Sequence, residues 1–170
     1  MKSKQLRAEL ERNGNSIQLL LAGIDPEDSR YKPTPETWSL LEVICHLYDE
    51  EREDFRQRVD ILLYRPSDPW PPINPVGWVI ERNYNRQDFP VMIAKWVAER
   101  QQSLAWLDGL VAPDWDRKSV TPFGFEMAAG DMLASWVTHD TLHMRQIVEL
   151  THARVLNLTQ PYDIRYAGDW

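Results

Sequence analysis

The sequence has few of the features that mark secreted, membrane-spanning or nucleic-acid-binding proteins. Cys45 is its single cysteine, so no internal disulfide can form, which suits a reducing compartment. The longest apolar runs, such as residues 19–22, are far shorter than the roughly 20 residues that a membrane span requires. No apolar signal segment follows Met1. We therefore expect a cytoplasmic protein with no membrane partner.

Positive charge is also scarce. The chain has 19 lysines and arginines against 26 acidic residues, which gives a net charge of −7. A surface of this sign repels phosphate backbones instead of releasing their counterions, so nucleic acid is not an expected partner. The length of 170 residues and the hydrophobic fraction of 43% are ordinary for one globular domain. We predict a single domain over residues 1–170.

Hydrophobic periodicity predicts two helices in the first third of the chain. The first carries an apolar stripe with one polar break at Asn13 and ends near Gly23. A proline-rich connector over residues 25–37 follows it. Ser39 and Glu42 then form a capping box, in which each side chain satisfies a backbone amide at a helix start. The second helix should run from about residue 40 into the low sixties.

The rest of the chain predicts two more helices and two long connections. Asp88 and Pro90 mark the start of the third helix, and the fourth begins near Asp131 and continues past Leu150, with an irregular tail over 157–170. The connection over 64–87 is longer than a simple linker and should hold one short helical turn at 79–83. The second connection, 111–129, is predicted to be irregular, because no strand-like alternation is visible. Four helices of these lengths indicate an all-α helical bundle.

Two of the four histidines, His139 and His143, are four residues apart on the fourth predicted helix. This spacing places both side chains on one face with Cβ atoms roughly 6 Å apart, and the apolar stripe through Trp136 and Ile147 turns that face to the interior. A buried imidazole without a partner costs about 1 to 3 kcal/mol, and a shared metal ion would remove that cost. Two core histidines bonded to backbone or water are the alternative, and the spacing alone does not choose between them.

His46 is the natural third ligand, since it lies early in the second predicted helix. It falls opposite the main apolar stripe, on the same arc as Glu50, so this arc lines either a polar cleft or bulk solvent. Three neutral imidazoles leave open positions on zinc or another late first-row ion, which can generate a nucleophile near neutral pH. His152 is expected at the surface, and Cys45 is expected to be a small buried hydrophobe.

Four polar residues adjoin these histidines in the sequence and are candidates to orient a ligand ring or to relay a proton: Asp49, Glu50, Asp140 and Gln146. The reason is that metal-bound histidines usually donate their second nitrogen to a carboxylate or carbonyl oxygen. Acidic residues on helices are more often simply solvated, which is the alternative for each carboxylate.

Two segments resemble the DinB-like proteins. Residues 35–50, PETWSLLEVICHLYDE, resemble the Trp-Ser, Glu, His-Leu pattern that opens helix 2 of that family, and residues 139–147, HDTLHMRQI, resemble its second histidine motif. The resemblance covers the whole chain in order and spacing. It implies an antiparallel four-helix bundle with a long connection between helices 2 and 3, often dimeric. It also implies that His46, His139 and His143 bind nickel, zinc or a similar ion, with His46 in a cleft.

The resemblance further implies a metal-dependent enzyme, because characterised relatives include enzymes that use a low-molecular-weight thiol to conjugate or isomerise small electrophiles, while many relatives have no known activity. On this hypothesis the protein is a thiol-dependent S-transferase or isomerase, a homodimer that binds one divalent ion, a thiol and a small-molecule substrate. The loop with Trp70 and Trp78 would shield the substrate. A non-catalytic, metal-binding or stress-associated dimer and a metal-dependent hydrolase are the alternatives, since kinship of fold does not transfer a reaction.

Overall fold

The computed structural model describes residues 2–169, and helices account for most of it. The helices have these bounds: α1, Lys2–Leu21; α2, Leu40–Glu50; a π-helical segment, Glu51–Phe55; α3, Arg56–Tyr64; α4, Pro75–Glu81; α5, Phe89–Asp108; α6, Ala129–Thr159. Because α2, the π-helical segment and α3 follow one another without a break, they form one rod, the second of the bundle. No helix within residues 2–169 is long and apolar enough to cross a membrane.

The predicted all-α, antiparallel four-helix bundle with a long connection between its second and third helices is confirmed. Helix α1 packs against α5 and α6, and the second rod packs against the same two helices. Apolar side chains fill the space between the four rods in two clusters. One contains Ile44 and Trp96, and the other contains Leu10 and Trp136, all at most 1% exposed.

Local capping fixes two of the helix starts as the sequence predicts. The Ser39 hydroxyl accepts a hydrogen bond from the Glu42 amide at 3.2 Å, and the Glu42 carboxylate accepts one from the Ser39 amide at 2.8 Å. At the start of α5, the Asp88 carboxylate accepts a hydrogen bond from the Val91 amide at 2.9 Å. Each cap satisfies amides that have no partner inside the helix.

The π-helical segment is a feature that the sequence did not predict. A π turn holds more residues than an α turn and so rotates the face that follows it. Both Glu51 and Phe55, at the two ends of the segment, are buried against α6. The indole nitrogen of Trp136 donates to Glu51 at 3.0 Å, and the Phe55 ring stacks on the Trp136 ring at 5.9 Å.

The connection over 64–87 contains a helix earlier than the predicted turn at 79–83. Helix α4 begins after Asn74, whose side-chain oxygen accepts a hydrogen bond from the Gly77 amide at 3.1 Å. Trp78 on this helix is buried in the core, and the Arg82 guanidinium lies 4.0 Å from the centre of its ring. Much of this connection is therefore packed onto the bundle.

The prediction that no strand occurs is wrong for the second connection. Strands β1 (Lys118–Val120) and β2 (Glu126–Ala128) pair antiparallel, with Ser119 opposite Met127. Each strand has three residues, too few to display the two-residue alternation by which a strand is recognised. The turn between them uses a positive φ of 84° at Gly124, which glycine adopts without strain.

Helix α6 is longer than predicted at both ends. It begins at Ala129, ahead of Asp131, whose carboxylate accepts a hydrogen bond from the Ala128 amide at 2.9 Å. It continues to Thr159, so it includes the first residues of the tail that the sequence predicted to be irregular. Its length carries the two histidine positions well inside the bundle.

Candidate metal centre

Three histidines from two rods meet at one point. His46 lies on α2, and His139 and His143 lie on adjacent turns of α6. The Nε2 atom of His139 is 3.3 Å from that of His46 and 3.1 Å from that of His143. One nitrogen from each ring lies within 4.8 Å of the other two. Two nitrogens bound to a zinc-sized ion at a tetrahedral angle are about 3.3 Å apart, so the three rings fit around a single ion.

The connector between α1 and α2 decides where His46 lies. The Trp38 ring packs against the His46 ring with their centres 5.0 Å apart, and His46 is 5% exposed. The arc of α2 that is opposite its main apolar stripe therefore does not face bulk solvent at this position. The helical periodicity left two alternatives for this arc, a polar cleft or bulk solvent, and the structure contains a covered cleft.

Neighbouring side chains hold the other two rings. The Nδ1 atom of His143 is 2.8 Å from the side-chain oxygen of Gln146. Because an amide oxygen only accepts, Nδ1 is the protonated nitrogen of a neutral ring and Nε2 keeps a free lone pair towards the cluster. The Phe55 ring lies 4.9 Å from the His139 ring. Nδ1 of His46 is buried without a hydrogen-bond partner.

The surroundings keep all three imidazoles neutral. Burial, followed by the neighbouring imidazoles, lowers the pKa of His46 to about 2. Burial, followed by His143 and then Arg100, lowers the pKa of His139 to about 3. Burial also lowers the pKa of His143, against a smaller opposite effect of its bond to Gln146. Neutral rings have the lone pairs that a metal ion needs.

The four polar candidates from the sequence occupy different places, and of these Gln146 is hydrogen-bonded to a histidine ring. Asp49 turns to the other side of α2, where it accepts a hydrogen bond from the Tyr84 hydroxyl at 2.5 Å and pairs with Arg82 at 2.7 Å. Cys45, next to His46, is 1% exposed and is a small buried residue as predicted. His152 is partly buried and lies further along α6, outside the cluster.

Glu50 belongs to a buried group of its own. It is 5% exposed, and burial, followed by the Asp54 carboxyl, raises its pKa to about 8. Asp54 pairs with Arg58, and the Arg58 guanidinium stacks on the Trp70 ring at 4.6 Å. Burial therefore favours the protonated form of Glu50, so it is not a simple anionic neighbour of the histidines.

A buried ion network adjoins His139, and sequence reasoning missed it. Arg100 on α5 forms two hydrogen bonds to Glu51, both at 2.8 Å, and two to Asp140, at 2.7 and 2.8 Å. It donates a further bond to the backbone oxygen of Leu10 at 2.9 Å. Residues from all four rods therefore meet at this arginine. The sequence offered one signal of this network: Arg100 lies on the apolar stripe of the third predicted helix, and a buried charge needs buried partners.

A cavity of about 480 Å³ reaches the cluster at His143. It lies between α6 and the connector that precedes α2. Trp38 and Gln146 form part of its wall, and its lining includes two carboxylates, those of Glu36 and Glu149. The expected shielding by Trp70 and Trp78 does not apply to this cavity, since neither residue lines it.

Comparisons with known proteins agree with the predicted family and fold. The sequence profile of the DinB superfamily matches residues 9–147. Among solved structures, the chain is similar to YfiT from Bacillus subtilis, with a TM-score of 0.76 and 16% sequence identity over 88% of this chain and 86% of that one. YfiT is described as a probable metal-dependent hydrolase with an unusual four-helix bundle topology. No curated protein matches the sequence. Because the family profile covers most of the chain, this protein belongs to the DinB superfamily.

Proposed function

We propose that His46, His139 and His143 hold one divalent metal ion, nickel or zinc, and that the protein is a metal-dependent enzyme acting on a small molecule. The convergence of three neutral imidazole nitrogens within 4.8 Å of one another supports this proposal most directly. Nitrogen donors suit late first-row ions. Three protein ligands also leave coordination positions open, as catalytic sites do.

Residues of the chain orient and cover the three histidines. A bound ion would act as a Lewis acid that lowers the pKa of a water or thiol bound to it. Gln146 fixes the tautomer of His143. Trp38 and Phe55 confine the rings of His46 and His139 and exclude water from one side of each. The cavity gives a small molecule access to the cluster at His143.

Hydrolysis, with water as the nucleophile, is the reaction that we favour. YfiT, which shares the fold, is described as a probable metal-dependent hydrolase, although a shared fold alone does not fix a reaction. The cavity adds a physical reason, because Glu36 and Glu149 in its lining disfavour a thiol cofactor that carries carboxylates. Thiol-dependent transfer or isomerisation of an electrophile remains the competing reaction, and a non-catalytic metal-binding dimer is the third outcome.

Metal content of protein purified without a histidine tag and without added metal tests the centre. We expect about one equivalent in the wild type and in His152→Ala, and much less in His143→Ala, since two imidazoles seldom hold a divalent ion against water. Circular dichroism should show that both variants remain helical, because the core consists of the apolar clusters between the rods. A full equivalent of metal in His143→Ala would place the site elsewhere.

The reaction is tested separately on the metal-loaded protein with a panel of small esters, amides and electrophiles, each with and without a low-molecular-weight thiol. Cleavage of esters or amides without thiol supports the hydrolase. Turnover that requires thiol supports the transferase or isomerase. A fixed ion without turnover on any of them supports the metal-binding protein. Light scattering on the same samples tests the homodimer, which is part of the same proposal.

A further inference from the structure

The cavity beside His143 has walls of unequal chemistry. Its apolar wall includes the indole of Trp38 and the side chain of Leu150, and its amide group is Gln146. Its ionisable lining groups are Glu36, Glu149 and His143, and no lysine or arginine belongs to the lining. With two carboxylates and no lysine or arginine, the lining has an excess of negative charge.

Arg145 and Lys32 lie near the cavity, and each is beside a carboxylate. Arg145 is 3.4 Å from Glu149, but both side chains are more than half exposed, so water screens the pair. Lys32 is bound to Glu42 at the start of α2, at 3.0 Å. No ion pair within residues 2–169 engages Glu36. A ligand that displaces water from the outer part of the cavity would therefore meet more negative than positive charge from the lining.

Trp38 adds a second attraction for positive charge. Its indole forms a wall of the cavity and packs against His46, with ring centres 5.0 Å apart. The indole face is the best aromatic partner for an ammonium or guanidinium group. An indole ring and two carboxylates, in a cavity that also contains His143, all favour a positively charged ligand.

We propose that this cavity binds small molecules that carry an ammonium or guanidinium group on a flat apolar body, with the cation held by Trp38, Glu36 and Glu149. The end of the molecule that reacts lies towards His143. This inference rests on the proposed metal centre for the reaction, but the preference for a cation belongs to the cavity itself. It can therefore be measured without metal.

The first experiment uses metal-free protein and two ligands of matched size, benzylammonium and phenylacetate. Indole resonances in ¹H–¹⁵N spectra report binding, and Trp38→Phe identifies the resonance of Trp38. At low salt we expect benzylammonium to shift this resonance and to bind about tenfold more tightly than phenylacetate, and the ratio should shrink as salt is raised. Equal affinities, or tighter binding of phenylacetate, would overturn the proposal.

Two variants of equal charge show whether the carboxylates cause the preference. The double variant Glu36→Gln/Glu149→Gln should reduce the ratio to about twofold, leaving the contribution of the indole. Asp116→Asn/Glu126→Gln changes net charge equally at exposed positions near the hairpin, roughly 25 Å away along α6, and should keep the full ratio. If both variants lose the preference, it reflects net charge and not the cavity, and the proposal fails.

A final measurement separates this proposal from the metal centre. Zinc-loaded protein is titrated with benzohydroxamic acids that carry a 4-aminomethyl or a 4-carboxyl group, because the hydroxamate binds metal and the substituent samples the cavity. Tighter binding of the aminomethyl compound supports both proposals. Hydroxamates that bind without preference contradict the cavity proposal alone. Failure of the protein to retain zinc contradicts the metal centre alone, while the metal-free titration still decides the cavity.

Discussion

Replacing Arg100 by methionine tests the buried ion network at the centre of the bundle. The Arg100 side chain is 4% exposed, and the side chains of Glu51 and Asp140 are each 1% exposed. Burial acts to lower the pKa of Arg100, but the two carboxylates more than offset this and raise it. Gly14 on α1 makes room for the arginine, since a Cβ there would lie 3.3 Å from its Cγ atom. Methionine would keep much of the apolar stem and remove the charge.

The expected loss follows from the two carboxylates that remain. Removing one partner of a buried ion pair typically costs about 3–5 kcal/mol. For a domain of this length, each kcal/mol lowers Tm by about 2–4 °C, so Arg100→Met should lower Tm by about 6–20 °C at neutral pH. Protonation of the buried carboxyls limits this loss of stability, because burial already raises the pKa of Asp140 even beside Arg100.

Thermal unfolding followed by circular dichroism is the assay, and Arg65→Met is the matched control. Arg65 also bridges two carboxylates, Asp60 and Asp68, but its side chain is 49% exposed. Its loss should leave Tm nearly unchanged. The triple variant Arg100→Met/Glu51→Gln/Asp140→Asn should recover part of the loss, because no unpaired charge remains. A Tm of Arg100→Met within about 2 °C of the wild type at neutral pH would refute the reasoning.

The pH dependence of this variant gives a second check on the same mechanism. Without the arginine, the buried carboxyls should bind protons more readily in the folded state than in the unfolded chain. A carboxyl with a raised pKa contributes stability at low pH that is lost as pH rises through that pKa. The deficit relative to the wild type should therefore shrink as the solution is acidified. A deficit that is constant with pH would point to lost packing and not to charge.

Four further predictions concern titration and fold. The metal-free bundle should lose stability as pH falls below about 6.5. The imidazoles of the unfolded chain bind protons there, whereas the three buried rings, whose pKa values are lowered, do not. A Tm in chelator that is constant from pH 8 to 5 would contradict this. For the same reason, metal should dissociate only well below pH 6.5, which equilibrium dialysis over a pH series would show. Glu50→Gln should gain stability relative to the wild type as pH rises from about 5 to 8. Burial and then Asp54 raise the pKa of Glu50 to about 8, so over that range folding must take up a proton that the unfolded chain has released. Thermal melts that show a pH-independent difference would exclude it. The far-ultraviolet spectrum should be dominated by helix, and a sheet spectrum would rule out the bundle.

The sequence by itself determined the four rods and the pairing of two of the three histidines in the candidate metal centre. Helical periodicity and the caps at Ser39 and Asp88 act over a few residues, so they can be recognised without knowledge of the fold. The same is true of His139 and His143, because spacing of four residues places two side chains on one face of any helix. The two three-residue strands and the π-helical segment escaped prediction, since neither has a periodic pattern long enough to detect.

Only the tertiary structure decided what lies against these local features. The contact between His46 and His139 joins residues 93 positions apart, and the helical pattern placed His46 on a polar arc without showing what covers that arc. The covering residue, Trp38, comes from an irregular connector whose path depends on the packed bundle. Arg100 is likewise only a charge on an apolar stripe in the sequence, and the packed π-helical segment and α6 supply its carboxylates. In each case the decisive energy comes from contacts between segments that are distant in the sequence or irregular, and the relative rotation of the rods is fixed by packing, not by the local sequence.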